Sequence, residues 1–283
     1  MKPTDLFSGL SDFQAYTDGL VADTTYGQLS PSIRTVVLSV IPLITAGAYV
    51  ALAGESEDDT LREGKELLKT AVAAGAMLKY QIFSSVKKNG SDAALYKYQH
   101  EEIKESYAEA YWLAMDRLLD FLDEHPGIGG YDQTAEYAER QKLPVRSGSE
   151  FDRYYGIGGS AFFYHKVLFI VRQVWRSDIR PVLPETTTDE MMELAKEALC
   201  HKVVAQAVMQ FDVTELPRSI RWDFNHEYTK GTSMQNRTTL YNQLTSRFVS
   251  IMASIERMKA VASGATSVGS GSSAEDDKIY TIL

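Results

Sequence analysis

A long amphipathic stretch, residues 92–125, constrains the fold of this chain more than any other feature of its sequence. Its apolar residues return at steps of three and four, which places them on one face of a helix. They are Ile103, Tyr107, Ala110, Tyr111, Ala114, Leu118, Phe121 and Leu122. The pattern returns 137 residues later, where the counterparts of six of the aligned positions are Leu240, Leu244, Phe248, Ile251, Ile255 and Met258. The sequence therefore predicts one amphipathic helix that is used twice.

Two further helices precede each copy. The first is predicted from Ser30 to Val40, with a break at Pro42, and its counterpart spans residues 160–179. The second is predicted over residues 59–86 and 189–211, in a register that aligns Val72 with Val203. A short motif, S-[DE]-F-x-x-Y, leads into each unit: Ser11, Asp12, Phe13 and Tyr16 in the first, Ser149, Glu150, Phe151 and Tyr154 in the second.

These elements predict an all-α fold in which duplicated three-helix units pack as a helical bundle, followed by a flexible C-terminal arm that ends in a short β-strand. The predicted boundaries are 1–126 for the first repeat, 127–148 for a linker, 149–262 for the second repeat and 263–283 for the arm. Three helices alone make a small core, so the two units are expected to pack together.

Composition narrows the class of protein. A net charge of −9 argues against a protein that binds nucleic acid by neutralising phosphates. The lone Cys200 excludes an intramolecular disulfide, and residues 1–10 lack the apolar core of a secretory signal.

The uncharged stretch Thr35–Gly54 has the length of a membrane span. Pro42 within it and the charged counterpart in the second half favour a buried helix, so no membrane association is predicted.

The arm joins two kinds of sequence. Residues 263–277 are rich in Gly and Ser, which predicts a flexible linker. The β-branched and aromatic segment after it consists of Lys278, Ile279, Tyr280, Thr281, Ile282 and Leu283. Two interpretations stay open: a disordered terminus, or a strand that adds to a sheet edge of a neighbouring subunit or partner. Tyr96 and Tyr98 lie off the apolar stripe of their helix and are predicted as further contacts with other proteins.

No residue pattern points to catalysis or to a bound cofactor. The two GIGG segments lack the strand and the lysine of a phosphate-binding loop, and no nucleophile motif is found. Glu193, Glu197 and His201 recur every four residues on one helix and could donate ligands to a metal in a bundle, but the spacing of a di-metal site is missing. The prediction is therefore a protein that is not an enzyme and has no metal. The alternative is a helical-bundle metalloenzyme or ligand-binding protein that uses these three residues.

Three segments carry a family resemblance: SDFQAYTDGL before LSPSI, the segment VIPLI, and YKYQHEEIKESYAEAYWLAMDRLLDFLDE. With them the chain resembles uncharacterised helical structural proteins of phages and prophages of gut bacteria, of the head–tail connector or adaptor type. The resemblance implies a virion protein that forms a homo-oligomeric ring, contacts portal or tail proteins and lets DNA pass without specific binding. It also implies a location in the bacterial cytoplasm during assembly and afterwards in the virion. The duplication and the greater length of this chain depart from the pattern.

Overall fold

A computed structural model describes residues 3–17, 20, 23–88, 97–225 and 232–262 of the chain. Throughout this described part the secondary structure is helical, without a strand, so the prediction of an all-α fold is confirmed. The α-helices are α1 (Leu10–Gln14), α2 (Tyr26–Ile44), α3 (Ala46–Ala53), α4 (Asp59–Lys88), α5 (Lys97–Glu124), α6 (Ala135–Arg140), α7 (Gly148–Asp152), α8 (Ala161–Val174), α9 (Asp189–Gln210), α10 (Arg218–Asn225) and α11 (Thr232–Ala262). Short 3-10 segments span Pro3–Leu6, Ile128–Gln133 and Val213–Glu215, and a π-helical turn, Trp175–Ile179, continues α8.

The first half of the chain is built around α4. Helix α2 packs against one side of α4 and α5 packs against another. The apolar positions of all three helices, among them Val37, Met77 and Leu118, are removed from water in one core. Burial of each such side chain contributes about 1.5–3 kcal/mol, so the packing of the three helices stabilises this half.

The first predicted helix has different ends from those expected. It begins at Tyr26 instead of Ser30, because Thr25 and Gln28 form a capping box ahead of it, and it continues through Pro42. The break comes at Thr45, whose φ of 76° lies in the left-handed region. The Thr45 hydroxyl then accepts a hydrogen bond of 3.2 Å from the Ala48 amide and caps α3.

The break at Thr45 divides the apolar stretch Thr35–Gly54 between α2 and α3. Helix α2, with 19 residues and a mean hydropathy of 1.3, is the helix in the described part of the chain that is long and apolar enough to span a membrane. Its buried face lies against the core, and Leu38 on its other side is 54% exposed.

The second half of the chain is built from α8, α9 and α11. Helices α9 and α11 lie side by side along much of their length, and α8 packs across α9. Val171, Val203 and Ile255 contribute to the core between them. The 3-10 segment Val213–Glu215 and α10 occupy the connection between α9 and α11, where the first half has residues 89–96, which lie outside the described residues.

The two halves meet through α5, α8 and the linker. Helix α5 packs against α8, and Trp112 of α5 contacts both apolar cores. The linker turn Ile128–Gln133 lies on α3, where the backbones of Gly47 and Gly129 touch. A Cβ on Gly47 would lie 2.2 Å from the Gly129 carbonyl oxygen, so this approach requires glycine.

Candidate functional site

The residues predicted to contact other proteins fall where the structure gives no side-chain description. Tyr96 and the segment Lys278–Leu283 lie outside the described residues. Tyr98 belongs to α5, but its side chain is likewise outside the described set. The strand predicted at the end of the arm therefore also lies outside the described residues. Among its described residues, the helical body has no sheet edge to which such a strand could add.

The three residues of the alternative metal site have other partners. Glu193 accepts hydrogen bonds from the Tyr154 hydroxyl, at 2.7 Å, and from the Lys196 ammonium, at 3.0 Å. Glu197 accepts a 2.7 Å hydrogen bond from the Arg247 guanidinium of α11. His201 Nε2 lies 3.8 Å from Glu197 Oε1, and burial lowers the pKa of His201. Glu193 and Glu197 thus bind cations on different helices, and the described residues include no group of three His, Cys, Asp or Glu that could hold a metal.

A cluster of four polar residues joins α1 to α4. The Lys69 ammonium donates to both Asp12 carboxylate oxygens, at 2.8 and 3.1 Å, and lies 5.1 Å from the centre of the Tyr16 ring. The Tyr16 hydroxyl donates a 2.7 Å hydrogen bond to Glu66. Burial raises the pKa of Asp12, but the hydrogen bonds from Lys69 and Ser8 and the charge of Lys69 together outweigh burial, so the pKa of Asp12 is lowered. Asp12 is therefore a carboxylate at neutral pH.

The second half contains a cluster of the same chemistry between α7 and α9. The Lys196 ammonium lies 3.5 Å from Glu150 and 5.9 Å from the centre of the Tyr154 ring, and the Tyr154 hydroxyl donates to Glu193. Glu150 takes the place of Asp12, and the lysine again combines an ion pair with an aromatic face. Each half thus attaches its leading short helix to its long central helix with a carboxylate, a tyrosine, a glutamate and a lysine.

Each cluster contributes charged side chains to the lining of an open cleft. The cleft of the first half, about 610 Å³, also includes Arg62 and Lys65. The cleft of the second half, about 530 Å³, also includes Lys142, Arg146 and Trp175. Charges of both signs line both clefts, so neither has the uniform charge expected of a site for a single ion.

A buried ion pair holds the two halves and the linker together. Arg140 of α6, which is 3% exposed, donates a hydrogen bond of 2.9 Å to Asp123 of α5. The same guanidinium lies 2.9 Å from His165 Nε2 of α8 and packs over the Tyr137 ring. Burial, and then the neighbouring Arg140 cation, lower the pKa of His165 to about 4. Neutral His165 therefore accepts the hydrogen bond from Arg140 at neutral pH.

A second polar junction completes the first turn of α8. Ser160 caps α8 by accepting a 3.0 Å hydrogen bond from the Phe163 amide. The Ser160 hydroxyl donates to Asp116 of α5, which also accepts from the Phe162 amide at 2.8 Å. The indole nitrogen of Trp112 donates to the Ser160 hydroxyl at 3.0 Å. Helix α5 of the first half therefore satisfies one backbone donor of the second half directly, the Phe162 amide.

An apolar recess lies between the start of α9 and the end of α11. Its lining residues are Thr188, Glu190, Met191, Ser254, Arg257, Met258, Val261 and Ala262, and its volume is about 600 Å³. Val261, an apolar residue at the rim of this recess, is 79% exposed. The Lys259 ammonium donates to the Val182 carbonyl at 2.9 Å and fixes this end of α11 beside the turn that follows α8. We call this feature the α9–α11 groove.

Sequence reasoning did not find the junction residues Asp116, Asp123, Arg140 and His165. The helical pattern placed Asp116 on the polar side of α5, and that side proves to face the second half of the chain. A charged residue on a helix face gives no sign of a partner that is 44 residues away in the sequence. The S-[DE]-F-x-x-Y motif is visible in the sequence, but the sequence does not identify its partners Glu66 and Lys69.

Residues 169–262 match the model of a family of unknown function, DUF6712. The matched range begins inside α8 and ends with α11, so it includes α9, α10 and the α9–α11 groove. No curated protein and no solved structure matches the chain.

Proposed function

We propose that this chain is a non-enzymatic structural protein of a phage virion, a head–tail connector that assembles with copies of itself into a ring. Its partners in this proposal are neighbouring copies and portal or tail proteins, and DNA passes through the ring without specific binding. The protein would act in the bacterial cytoplasm during assembly and remain in the virion. The resemblance of the sequence to such proteins motivates the proposal.

The α9–α11 groove is the observation that carries an assembly role. Met191, Met258 and Val261 form an apolar recess on the outside of a folded helical body. Exposed apolar recesses with polar rims mark sites of protein contact. The recess lies where the described part of the chain ends and the predicted C-terminal arm begins. The groove, which is suited to bind protein, therefore adjoins the arm, which is predicted to bind protein.

We also propose that the two halves are repeats of one three-helix unit, α2–α3 with α4 and α5, and α8 with α9 and α11. The two tyrosine–lysine clusters support this proposal. Glu66 and Lys69 correspond in chemistry to Glu193 and Lys196, 127 residues later. That register differs from the alignment of Val72 with Val203 by one helical turn, because the apolar pattern of a helix repeats closely after four residues. The polar partners select between registers that the apolar pattern leaves equivalent.

Analytical ultracentrifugation and negative-stain electron microscopy of the purified chain test the connector role. We expect concentration-dependent assembly into closed rings of uniform diameter. As a matched pair, Met258→Asp should prevent assembly because it places a charge in the groove, whereas Glu256→Asp, two residues away on the same helix, should not. A chain that stays monomeric at every concentration and also fails to join portal-containing heads would contradict the proposal.

A further inference from the structure

We infer that the α9–α11 groove is the docking site for the C-terminal segment Lys278–Leu283 of the same chain, which covers the groove until the chain meets a partner. The inference rests on the interaction role proposed above for the groove. It adds the identity of the occupant and makes the isolated chain a self-covered form.

The location of the groove is the first argument. Val261 and Ala262 form part of its rim, and they are the last described residues before the arm begins. A Gly- and Ser-rich chain of about 15 residues has a root-mean-square end-to-end distance of about 21 Å. The groove extends along α11 from Ser254 to Ala262, which is about 12 Å at the rise of an α-helix. A segment tethered by residues 263–277 therefore reaches every part of the groove.

The chemistry of the two surfaces is the second argument. The groove offers the side chains of Met258 and Val261 above the buried Met191, and methionine adapts its shape to aliphatic and aromatic partners. The segment Lys278–Leu283 offers Ile279, Tyr280, Ile282 and Leu283. Both surfaces lose apolar contact with water when they meet, at about 25 cal/mol for each Å² that is buried.

Charge favours the same pairing. The sequence just before the apolar segment, Glu275–Asp277, is acidic. Arg257 lies exposed at the groove, where its guanidinium donates to the Ser254 hydroxyl of its own helix. Glu190 stands at the other side of the groove, at the start of α9, and could pair with Lys278. The acidic run and the lysine thus match a cation and an anion of the rim.

The connectivity selects the chain's own segment over that of a second copy. A short flexible tether gives its end an effective concentration in the millimolar range at a site within reach. At micromolar protein concentration, the segment of a second copy is present at a concentration about a thousandfold lower than this effective concentration. The groove of an isolated chain is therefore covered by its own arm, and assembly requires exchange of that arm or its release.

Disulfide trapping in the full-length chain tests the inference. One cysteine replaces Thr281 in the segment, and a second replaces Met258 in the groove. The control pairs Thr281→Cys with Glu256→Cys, because residue 256 lies on nearly the opposite side of α11 at almost the same distance along the chain. The native Cys200 is buried, and burial raises the pKa of its thiol, so it does not compete.

We expect the 258–281 disulfide to form within single chains at least about tenfold faster than the 256–281 disulfide. Adding Ile279→Asp and Ile282→Asp should reduce the 258–281 rate to that of the control, while circular dichroism shows unchanged helicity. Equal rates for the two pairs, or a rate that survives the aspartates, would overturn the inference. Disulfides that form only between chains would also overturn it, because a neighbour's arm would then fill the groove.

The trapping result separates this inference from the proposed connector role. Rings without the 258–281 disulfide would refute docking of the arm and leave the connector role standing. An intramolecular disulfide in a chain that never assembles would support docking and contradict the ring.

Discussion

The Asp116 carboxylate of α5 accepts a 2.7 Å hydrogen bond from the hydroxyl of Ser160, the residue that caps α8. Through this contact a helix of the first half completes the first turn of a helix of the second half. Burial raises the pKa of Asp116, although the hydrogen bonds from Phe162 and Ser160 lower it in part. The side chain is thus needed at this junction as an acceptor more than as a charge.

Replacement of Asp116 should separate these two contributions. Asp116→Ala leaves the Ser160 hydroxyl and the Phe162 amide without their acceptor, and we expect the free energy of unfolding to fall by about 2 kcal/mol. Asp116→Asn keeps an oxygen in the same place and should cost about 1 kcal/mol or less. Urea denaturation at pH 7 measures both. Equal losses for the two variants would contradict the assignment of an acceptor role.

The buried pair Asp123–Arg140 should behave differently from an exposed ion pair. Asp123→Ala leaves the Arg140 cation buried without its carboxylate, and we expect a loss of about 3–5 kcal/mol. The double variant Asp123→Leu with Arg140→Met should recover most of that loss. Asp59, which pairs with Arg62 on the surface of α4, provides the control, and Asp59→Ala should cost less than about 1 kcal/mol. Urea denaturation at pH 7 measures the free energy of unfolding of each variant, and Asp123→Ala should show a larger loss than either the double variant or Asp59→Ala.

His165 should make stability depend on pH in a defined window. Its pKa in the folded chain is about 4, and an unfolded histidine has a pKa of about 6.5. Between these values the unfolded state binds more protons, so stability is lost as the pH falls from about 6.5 towards 4. The loss from this residue reaches up to about 3 kcal/mol. His165→Gln should flatten the pH dependence of the urea midpoint in this window, and an unchanged slope would contradict the prediction.

The two tyrosine clusters should contribute equally if the halves are repeats. Tyr16→Phe and Tyr154→Phe each remove one hydrogen bond to a glutamate, of 2.7 Å in both cases. We expect each variant to lower the free energy of unfolding by about 1 kcal/mol, since both sites are partly exposed. Thermal and urea denaturation of the two single variants and of the double variant measure this. A cost confined to one half would argue against equivalent roles.

The contact between Gly47 and Gly129 should tolerate no side chain. Gly47→Ala would place a methyl group 2.2 Å from the Gly129 carbonyl oxygen, which forces the linker turn away from α3. We expect a loss of about 3 kcal/mol, at the upper end of the cost of overpacking. Gly127 is in the same turn with open space around it, and Gly127→Ala should be neutral or slightly stabilising. Denaturation curves that place both variants at the same midpoint would contradict the close approach.

The helices could be predicted from the sequence because their apolar residues recur every three or four positions, with polar residues between them. The helix predicted over residues 189–211 ends one residue later than α9, and the helix predicted over residues 59–86 ends two residues earlier than α4. Helix ends that depend on side-chain caps or on backbone strain were less predictable. The capping box at Thr25 and the break at Thr45 moved both ends of α2.

The polar junctions could not be predicted, because each joins residues from elements that are far apart in the sequence. Asp123, Arg140 and His165 come together only after α5, α6 and α8 have packed. The α9–α11 groove could be anticipated no better. Met191 and Met258 satisfy an apolar helical pattern whether a neighbouring helix covers them or not. Only the packed structure tells a core position from one at an open recess.

Trp112 contacts both apolar cores from the middle of the chain, and this position has a consequence for synthesis on the ribosome. Domains fold as they emerge, from the N-terminus onwards. A nascent chain that ends before α8 would leave the α8-facing sides of Trp112 and Asp116 exposed to solvent. Truncated products of that length should therefore aggregate. Because α8 brings an apolar face that packs in one core with α9 and α11, the growing chain should be protected only once residues 160–262 have emerged.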